Sequence, residues 1–429
     1  MTKVDIQELP TVSQTHRSPS SRVAYIVSGF PTLYETFVLY DILAMEELGV
    51  SVELYPLRRT YPKIVHPEAH RWIERAHFHP YLSLKILCAQ WHFIRCQPLG
   101  YLKLWAEVLR GTWGSANFFL GAIAIFPKAV LFAYEMSRQG IVHVHAHFAN
   151  HPAVAGLIIH RLTGIPFSFT ARGSDVQVDR HMLKNKVKAA EFALAVSSDL
   201  KRIMVNECEP SLQEKIHVIR GGVDVDRLSP PLRSRSADPL RILCVARFDE
   251  VKGHTYLVEA CRILRQRNTP FECRLVGEGP LVRTIELQIK KSGLGKEIQL
   301  LGPRSYQEVL NELAEADVVV LPTAPTAAGQ HEGMPTVLQE AMACGLPVVS
   351  CLVEGITELV DDDLNGILVM PRNAAALADA FQRLQDNPPL RHQMGRAGRE
   401  KIVQRFSLKV NTAKRASLFL KSIGPTEAP

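Results

Sequence analysis

The chain has 429 residues, 46% apolar and 22% charged, a balance that excludes wholesale disorder and leaves ample material for a buried core. Such a length exceeds one ordinary domain and suggests two or three. The net charge of +7 is unevenly spread: Arg58 to Arg110 carries nine Lys/Arg against three Asp/Glu, and Arg391 to Lys421 carries nine against one, so the remaining body is acidic.

The lead MTKVDIQELPTVSQTHRSPSSR is polar and lacks an apolar core of the kind a secretory signal needs, so residues 1–21 are expected to be a flexible extension. SRVAYIVSGF then reads as a strand entering a glycine turn, Tyr34 to Leu48 has helical spacing, and VSVELYPL returns to strand character. From about 60 to 138 the pattern is mostly helical. All four tryptophans (Trp72, Trp91, Trp105, Trp113) lie in or just beyond the first basic segment. Basic residues mixed with aromatics suit a helix lying in a membrane interface, and equally a solvated face whose aromatics are in the core. Nucleic acid would attract the same charge, but no nucleic-acid motif accompanies it. NFFLGAIAIFPKAVLFA (117–133) is apolar, yet Pro127 and Lys128 interrupt it, which argues against a membrane span.

Alternation resumes with IVHVHAHF as a strand, HPAVAGLIIHRLTG as a helix and PFSFTA as a strand. AEFALAVSS, a helix from about Asp199, and KIHVIRGGV follow. The Pro-, Ser- and Arg-rich VDRLSPPLRSRSADP reads as a linker. Beyond it strands and helices alternate again through RILCVARF, FECRLVGEG, EIQLLG, ADVVVLP, PVVSC and GILVM, short apolar runs typical of strands buried on both faces. Two doubly wound, Rossmann-like α/β domains facing a cleft are expected, with ligands beyond the carboxyl ends of the strands. The boundaries read as 22–225 for the first domain, 226–238 for the linker, 239–400 for the second and 401–429 for a basic C-terminal helix. Eight cysteines are scattered with no C-x-x-C pair, several inside apolar runs, as expected of free thiols in a reducing cytosol.

HEGMPTVLQEAMACGLPVVS (331–350) places Glu332 and Glu340 in apolar, small-residue surroundings. Pro335 suits the first helical position and Gly345 the helix end. Glu332 and Gly333 then lie just before a helix N-terminus, where free N–H groups receive anions. Glu340, two turns on, is placed to accept hydrogen bonds from paired hydroxyls such as those of a ribose. A surface Glu340 and a dipole-complementing Glu332 would explain the spacing alone as well. The weighting shifts with VARFDEVKGH (245–254), where Arg247 and Lys252 follow a strand end and suit a diphosphate.

With these motifs the chain resembles the retaining glycosyltransferases of family 4, which have the two-domain GT-B fold. RFDEVKG, LVGEGP, LLGPRS, ADVVVLP, EGMPTVLQEAMACGLPVVS and NGILV occur in the family's order, so the resemblance covers nearly the whole chain. FPTLYETFV, VHAHFA and IPFSFTARGSD resemble the subgroup that builds bacterial exopolysaccharides and other surface glycans on lipid carriers. The resemblance implies that Arg247 and Lys252 hold the donor diphosphate and stabilise the leaving group, with Glu332 near the donor sugar. It places the Gly333 and Met334 amides, with Pro335 and Thr336, along the donor, and Glu340 on the ribose. Gly277 and Arg304 would lie near the base, and Gly29 would let the backbone approach the phosphates. Transfer would retain the anomeric configuration, without a covalent enzyme intermediate and without a cofactor or metal. The partners implied are a nucleotide sugar and a glycan or lipid-linked acceptor, and the C-terminal helix would pack back on the first domain. The enzyme is expected in the cytoplasm or on the inner face of its membrane.

Relatives in that subgroup carry a histidine where this chain has Arg172, which leaves His145, His147 and Asp175 as alternatives on the acceptor side. His143, His145 and His147 share one strand face. Zinc is one reading, but no Cys or carboxylate completes a set, and a strand pointing His147 into the cleft accounts for the pattern better. Asp224-Val225-Asp226 has a D-x-D form but reads as a turn. Two other functions fit the same motifs: a sugar-nucleotide epimerase, which needs no acceptor, and a non-catalytic nucleotide-sugar binder.

Overall fold

The computed structural model describes residues 22–33, 35–230 and 239–423, so the lead at 1–21, Tyr34, most of the expected linker and the last six residues lie outside the described residues. The first half contains β1 (Arg22–Val27), α1 (Thr36–Glu47), β2 (Ser51–Pro56), α2 (His70–Arg75), α3 (Leu84–Cys96), α4 (Pro98–Thr112) and α5 (Ala116–Met136). It continues with β3 (Ile141–His147), α6 (His151–Thr163), β4 (Phe167–Ala171), α7 (Ser174–Gln177), α8 (Leu183–Ala189), β5 (Phe192–Ala195), α9 (Ser198–Glu207) and β6 (Ile216–Val218). The second half runs β7 (Leu240–Val245), α10 (His254–Gln266), β8 (Phe271–Val276), α11 (Val282–Lys291), β9 (Ile298–Gly302), α12 (Tyr306–Glu315) and β10 (Val318–Leu321). α13 (Thr336–Ala343), β11 (Val348–Cys351), α14 (Glu354–Thr357), β12 (Gly366–Val369), α15 (Ala374–Asp386), α16 (Pro388–Arg405) and α17 (Leu408–Ile423) complete it.

Each half is one six-stranded parallel sheet, ordered β2-β1-β3-β4-β5-β6 and β12-β11-β10-β7-β8-β9. Strand order reverses between β1 and β3 in the first sheet and between β7 and β10 in the second. A crevice opens at such a switch point because neighbouring strands send their connections to opposite faces. The sequence explains the sheets simply: VVVL, VVSC and FALA are buried at every position, as strands covered on both faces must be.

The helical insert between β2 and β3 differs from expectation. Pro127 and Lys128 do not interrupt the apolar run, because α5 continues through both. Lys128 turns inward, its Nζ donating to Leu57 O at 2.8 Å and standing over the Tyr81 ring, and burial lowers its pKa to about 8. By length and composition α5 alone among the described helices is long and apolar enough to cross a membrane, but its second half is packed inside the domain. The tryptophans also divide. Trp72 is fully buried and Trp105 stacks on Phe126 with ring centroids 3.8 Å apart, whereas Trp91 and Trp113 are exposed.

After α16 the chain crosses back to the first half. Val223 bridges Ser407, and a Cβ at Gly222 would lie 2.7 Å from Leu408 N, so the crossing strands nearly touch. α17 then packs on α1 and β3. Its Arg415 forms a buried ion pair with Asp41 of α1, while Phe419 packs among Tyr25, His143, His145 and Phe192. Removing the cation alone strands Asp41 in a site that water does not reach. Arg415→Met is therefore expected to destabilise the protein by about 3–5 kcal/mol, measured as a lowered midpoint of chemical unfolding. A loss under about 1 kcal/mol would mean that the pair is solvated after all.

Candidate active site

A cavity of about 460 Å³ lies between the sheets and is lined from both. From the first half it receives Leu33, Thr36 and Phe37 after β1, Phe148 after β3, and Arg172 to Asp175 after β4. The second half contributes Arg247, Asp249 and Lys252 after β7, Gly277 after β8, Arg304 after β9, and Gln330 to Glu340 after β10. The four groups singled out as donor contacts thus come mainly from β7 and β10, the two strands that flank the switch point.

Lys252 meets Glu332 in a close ion pair across these two connections. Burial alone would lower the Lys252 pKa, but the Glu332 carboxylate outweighs it and raises the value. Arg247 remains more than half exposed, its Nε 4.0 Å from Asp249 Oδ2, so its guanidinium is available to a ligand. Gly333 and Met334 precede α13, and among the described residues no acceptor takes their backbone N–H groups. Gly333 also sits where a Cβ would come 2.9 Å from Arg172 O, so the loop passes close under the first domain. Pro335 caps α13 rather than opening it, and Thr336 is its first residue.

Glu340 is 8% exposed, and among the described residues no hydrogen-bond donor reaches its carboxyl oxygens. Burial raises its pKa to about 8. Around it stand Thr36, Phe37 and Tyr40 of the first half and Tyr306 of the second, the two tyrosine rings 5.4 Å apart. A largely buried carboxyl that faces the cavity and lacks a protein donor can accept hydrogen bonds from hydroxyls of a ligand.

Gly277 and Arg304 both line the cavity. Gly277 has φ +140°, and a Cβ there would lie 2.0 Å from Ala246 O, so the turn after β8 requires glycine. Arg304 reaches Glu308 at 3.0 Å. Gly29 is not among the cavity-lining residues; a Cβ there would meet side-chain atoms of Thr60 at 3.0 Å and Arg58 at 3.2 Å.

One acceptor-side expectation needs correction. His147 does not point into the cleft. It is fully buried, Nδ1 3.4 Å from Arg172 Nη2 and Nε2 3.6 Å from Asp41, because the shared face of β3 turns toward α1 and α17. Burial lowers the pKa of all three strand histidines, His143 to about 3, and His143 and His145 bond to Ser168, Thr170 and Ser422. Asp175 lies at the cavity wall but is occupied: its carboxylate accepts from the N–H groups of Ala149, Arg172 and Gly173 at 2.7–3.2 Å. It shapes the turn that carries Arg172. Arg172 itself lines the cavity, with Cζ 3.9 Å over the Phe37 ring and Nε unbonded. Burial lowers its pKa to about 10, leaving it charged near neutrality. In the D-x-D stretch, Asp224 Oδ1 accepts from the N–H groups of Asp226 and Arg227, forming a turn.

Sequence reasoning did not single out His331. Its ring meets Gln177 at 3.2 Å and Asp199 at 3.7 Å, joining the 331–334 loop to the first domain. The adjacent Glu332 was the only hint. Tyr40 and Tyr306 were also missed, since nothing local in either segment indicates a contact between halves so distant in the chain.

Residues 232–401 match the family Glycosyl transferases group 1. The chain is 31% identical over 425 residues to the putative colanic acid biosynthesis glycosyltransferase WcaL of Escherichia coli, spanning 92% of this chain and 99% of that one. It is 41% identical over 171 residues to the amylovoran biosynthesis glycosyltransferase AmsK of Erwinia amylovora, spanning 40% of this chain and 42% of that one. In fold it is similar to Anabaena HepE, crystallised with UDP-glucose, at a TM-score of 0.67 and 17% identity over 92% of this chain and 98% of HepE. The full-length match to WcaL at 31% identity, joined to two facing parallel sheets with a cavity at their switch points, makes this chain a member of the group 1 glycosyl transferases, with the GT-B fold.

Proposed function

We propose that the protein transfers a sugar from a nucleotide-diphosphate sugar to a glycan or lipid-linked acceptor in exopolysaccharide synthesis, with retention at the anomeric carbon. The observation that carries the donor assignment is the Glu340 carboxyl, buried and without a protein donor. Ribose hydroxyls supply the donors it lacks. Arg247 and Lys252 then face the diphosphate, and the free amides of Gly333 and Met334 meet its oxygens or those of the sugar. Charge that develops on the departing nucleotide is held by groups already in place, the largest usual contribution to such a step. Glu332 holds Lys252 in position. On the acceptor side Arg172 takes the role for which His145, His147 and Asp175 were candidates, presenting a cation at the cavity wall. The setting in surface-glycan synthesis is supported by WcaL and AmsK, and action on the cytoplasmic side follows from the use of nucleotide sugars.

Calorimetry with UDP, GDP and ADP and their sugar conjugates tests the donor site, beginning with UDP-glucose. One conjugate is expected to bind, and Glu340→Ala to weaken it by about ten- to hundredfold, the effect of leaving two hydroxyls unpaired. Binding unchanged in the variant would remove Glu340 from the ribose. Acceptor-dependent release of the nucleotide separates transfer from epimerisation.

The raised pKa gives binding a defined pH dependence. Free Glu340 is mostly protonated at pH 7 and ionises near 8. Ribose hydroxyls favour the carboxylate, so binding expels the proton below that pH. Affinity for the sugar conjugate should therefore rise with pH by up to about tenfold per unit and level off above 8, with proton release in buffers of different ionisation heat. Glu340→Gln should flatten the profile.

Lys252→Ala is expected to lower kcat by about a hundredfold to a thousandfold while changing KM less, since its charge counts most as the leaving group departs. An equal effect on KM alone would make Lys252 a binding group only.

A further inference from the structure

The helical insert α3–α5 has a surface that the donor and acceptor chemistry does not use. Eleven of the twenty large apolar side chains exposed among the described residues lie between Tyr81 and Ile123, about a tenth of the chain. On α3 they form a stripe, Leu84, Leu87, Trp91 and Ile94, spaced three and four residues apart on one face. Ile86, Ala89 and Phe93 occupy the opposite side and are already buried in the core. The stripe is therefore surplus to the helix's own packing. Gln90 Nε2 donates to Pro127 O at 3.0 Å and His92 packs on Tyr134, which lays α3 along the second half of α5, while Leu120 and Ile123 are exposed on its first half. Leu99 and Leu102 of α4 are also exposed.

The charges around this face have one sign. Lys85 and Arg95 of α3 and Lys103 and Arg110 of α4 are exposed, and the single acid of those two helices, Glu107, is engaged by Arg161. Trp91 and Trp113 are 65% and 75% exposed. Apolar residues and indoles bordered by lysine and arginine match the boundary between lipid chains and anionic headgroups. A protein partner fits less well, because lysine is depleted at protein interfaces.

We propose that the exposed face of α3–α5 docks on an anionic phospholipid bilayer, lying in its surface without crossing it. Buried Lys128 and the packed second half of α5 keep the insert attached to its domain. Gly111 of α4 also lines a groove whose far wall bonds to the cleft. Ser115 Oγ donates to Asp179 at 2.6 Å, and an open groove of about 590 Å³ runs past Gly111, Arg180 and His181 to Gln177. Gln177 in turn meets His331 in the cavity wall. Resting on the glycosyltransferase reading, this placement selects the lipid-linked member of the proposed acceptors: its tail stays in the bilayer while its head enters the cleft along the groove.

Co-sedimentation of the full chain with vesicles tests the proposal. Vesicles of phosphatidylglycerol mixed into phosphatidylcholine should bind the protein, and phosphatidylcholine alone should bind it at least about tenfold less. The triple variant L84E/L87E/W91E should lose binding by a similar factor, with circular dichroism and nucleotide-sugar affinity unchanged. K85E/R95E/K103E should lose the preference for anionic lipid. No vesicle binding, binding indifferent to phosphatidylglycerol, or a triple variant that binds as the wild type would each overturn the proposal. So would a dimer that the triple variant dissociates in a protein that ignores vesicles, since the face would then join two copies of this chain. Nucleotide-sugar affinity is read separately, so loss of the donor site and loss of the membrane face are distinguishable.

Discussion

One loop, His331 to Gly333, sets how the two halves of the molecule meet. Its backbone is pressed from both sides: a Cβ at Gly333 would approach Arg172 O, and one at Gly355 would lie 1.6 Å from Gly333 O. Glycine at both positions is thus a packing requirement. Within the same loop His331 reaches Gln177 and Asp199 of the first domain, while Glu332 holds Lys252 of the second. The residues that join the domains are therefore neighbours of those that face the donor. A second contact stands beside it, where Glu358 accepts from Ser198 N at the start of α9 and pairs with Arg220 at 2.6 Å. Its negative charge sits at a helix N-terminus, where the dipole favours it. Motion of one domain against the other must act on all of these polar contacts, so domain position and donor-site geometry are coupled.

The charges of the cavity follow from the same arrangement. Lys252 is compensated before any ligand arrives, whereas Arg247 is nearly free and Glu340 has no donor. A ligand that fits must therefore bring negative charge to one end and hydroxyl donors to the other. The nucleotide-sugar donor we propose would supply both. The two acids differ: Glu332 is ion-paired with Lys252, while desolvation raises the pKa of Glu340 to about 8. Two glutamates eight positions apart in one apolar segment consequently meet unlike environments.

The second half was legible in the sequence because its signals are local. Each strand is a short apolar run, most turns carry a glycine or proline, and Arg247, Lys252, Glu332 and Glu340 lie within a few residues of strand or helix ends. What the sequence did not reveal depended on contacts across the chain. Strand alternation correctly placed His143, His145 and His147 on one face, but which way that face turned was decided by α17, far away in sequence. Pro127 looked like a break because propensity counts against proline inside a helix. Packing against α3 and α6 overrode it. Basic, Trp-rich composition likewise contained two different populations, Trp72 and Trp105 in the core and Trp91 and Trp113 outside it. Composition cannot separate these, since burial is a property of the assembled helices.

The return of the C-terminal helix has a consequence at the cleft. Arg415 of α17 pairs with Asp41, Asp41 lies against His147, and His147 meets Arg172 in the cavity wall. Each link is buried, and burial lowers the pKa of the histidine and of both arginines. Neutral His147 thereby separates two guanidinium groups that would otherwise share a low-dielectric space with one carboxylate. Asp41 serves Arg415, leaving Arg172 to be balanced by Asp175, Glu35 and the Phe37 ring. Because that balance is partial, Arg172 keeps an attraction for an anion at the cavity wall. A chain whose terminal helix did not return would leave Asp41 without its cation and free to draw on Arg172 through His147. The last helix, which contributes nothing to the second sheet, is in this way part of the electrostatics of the site.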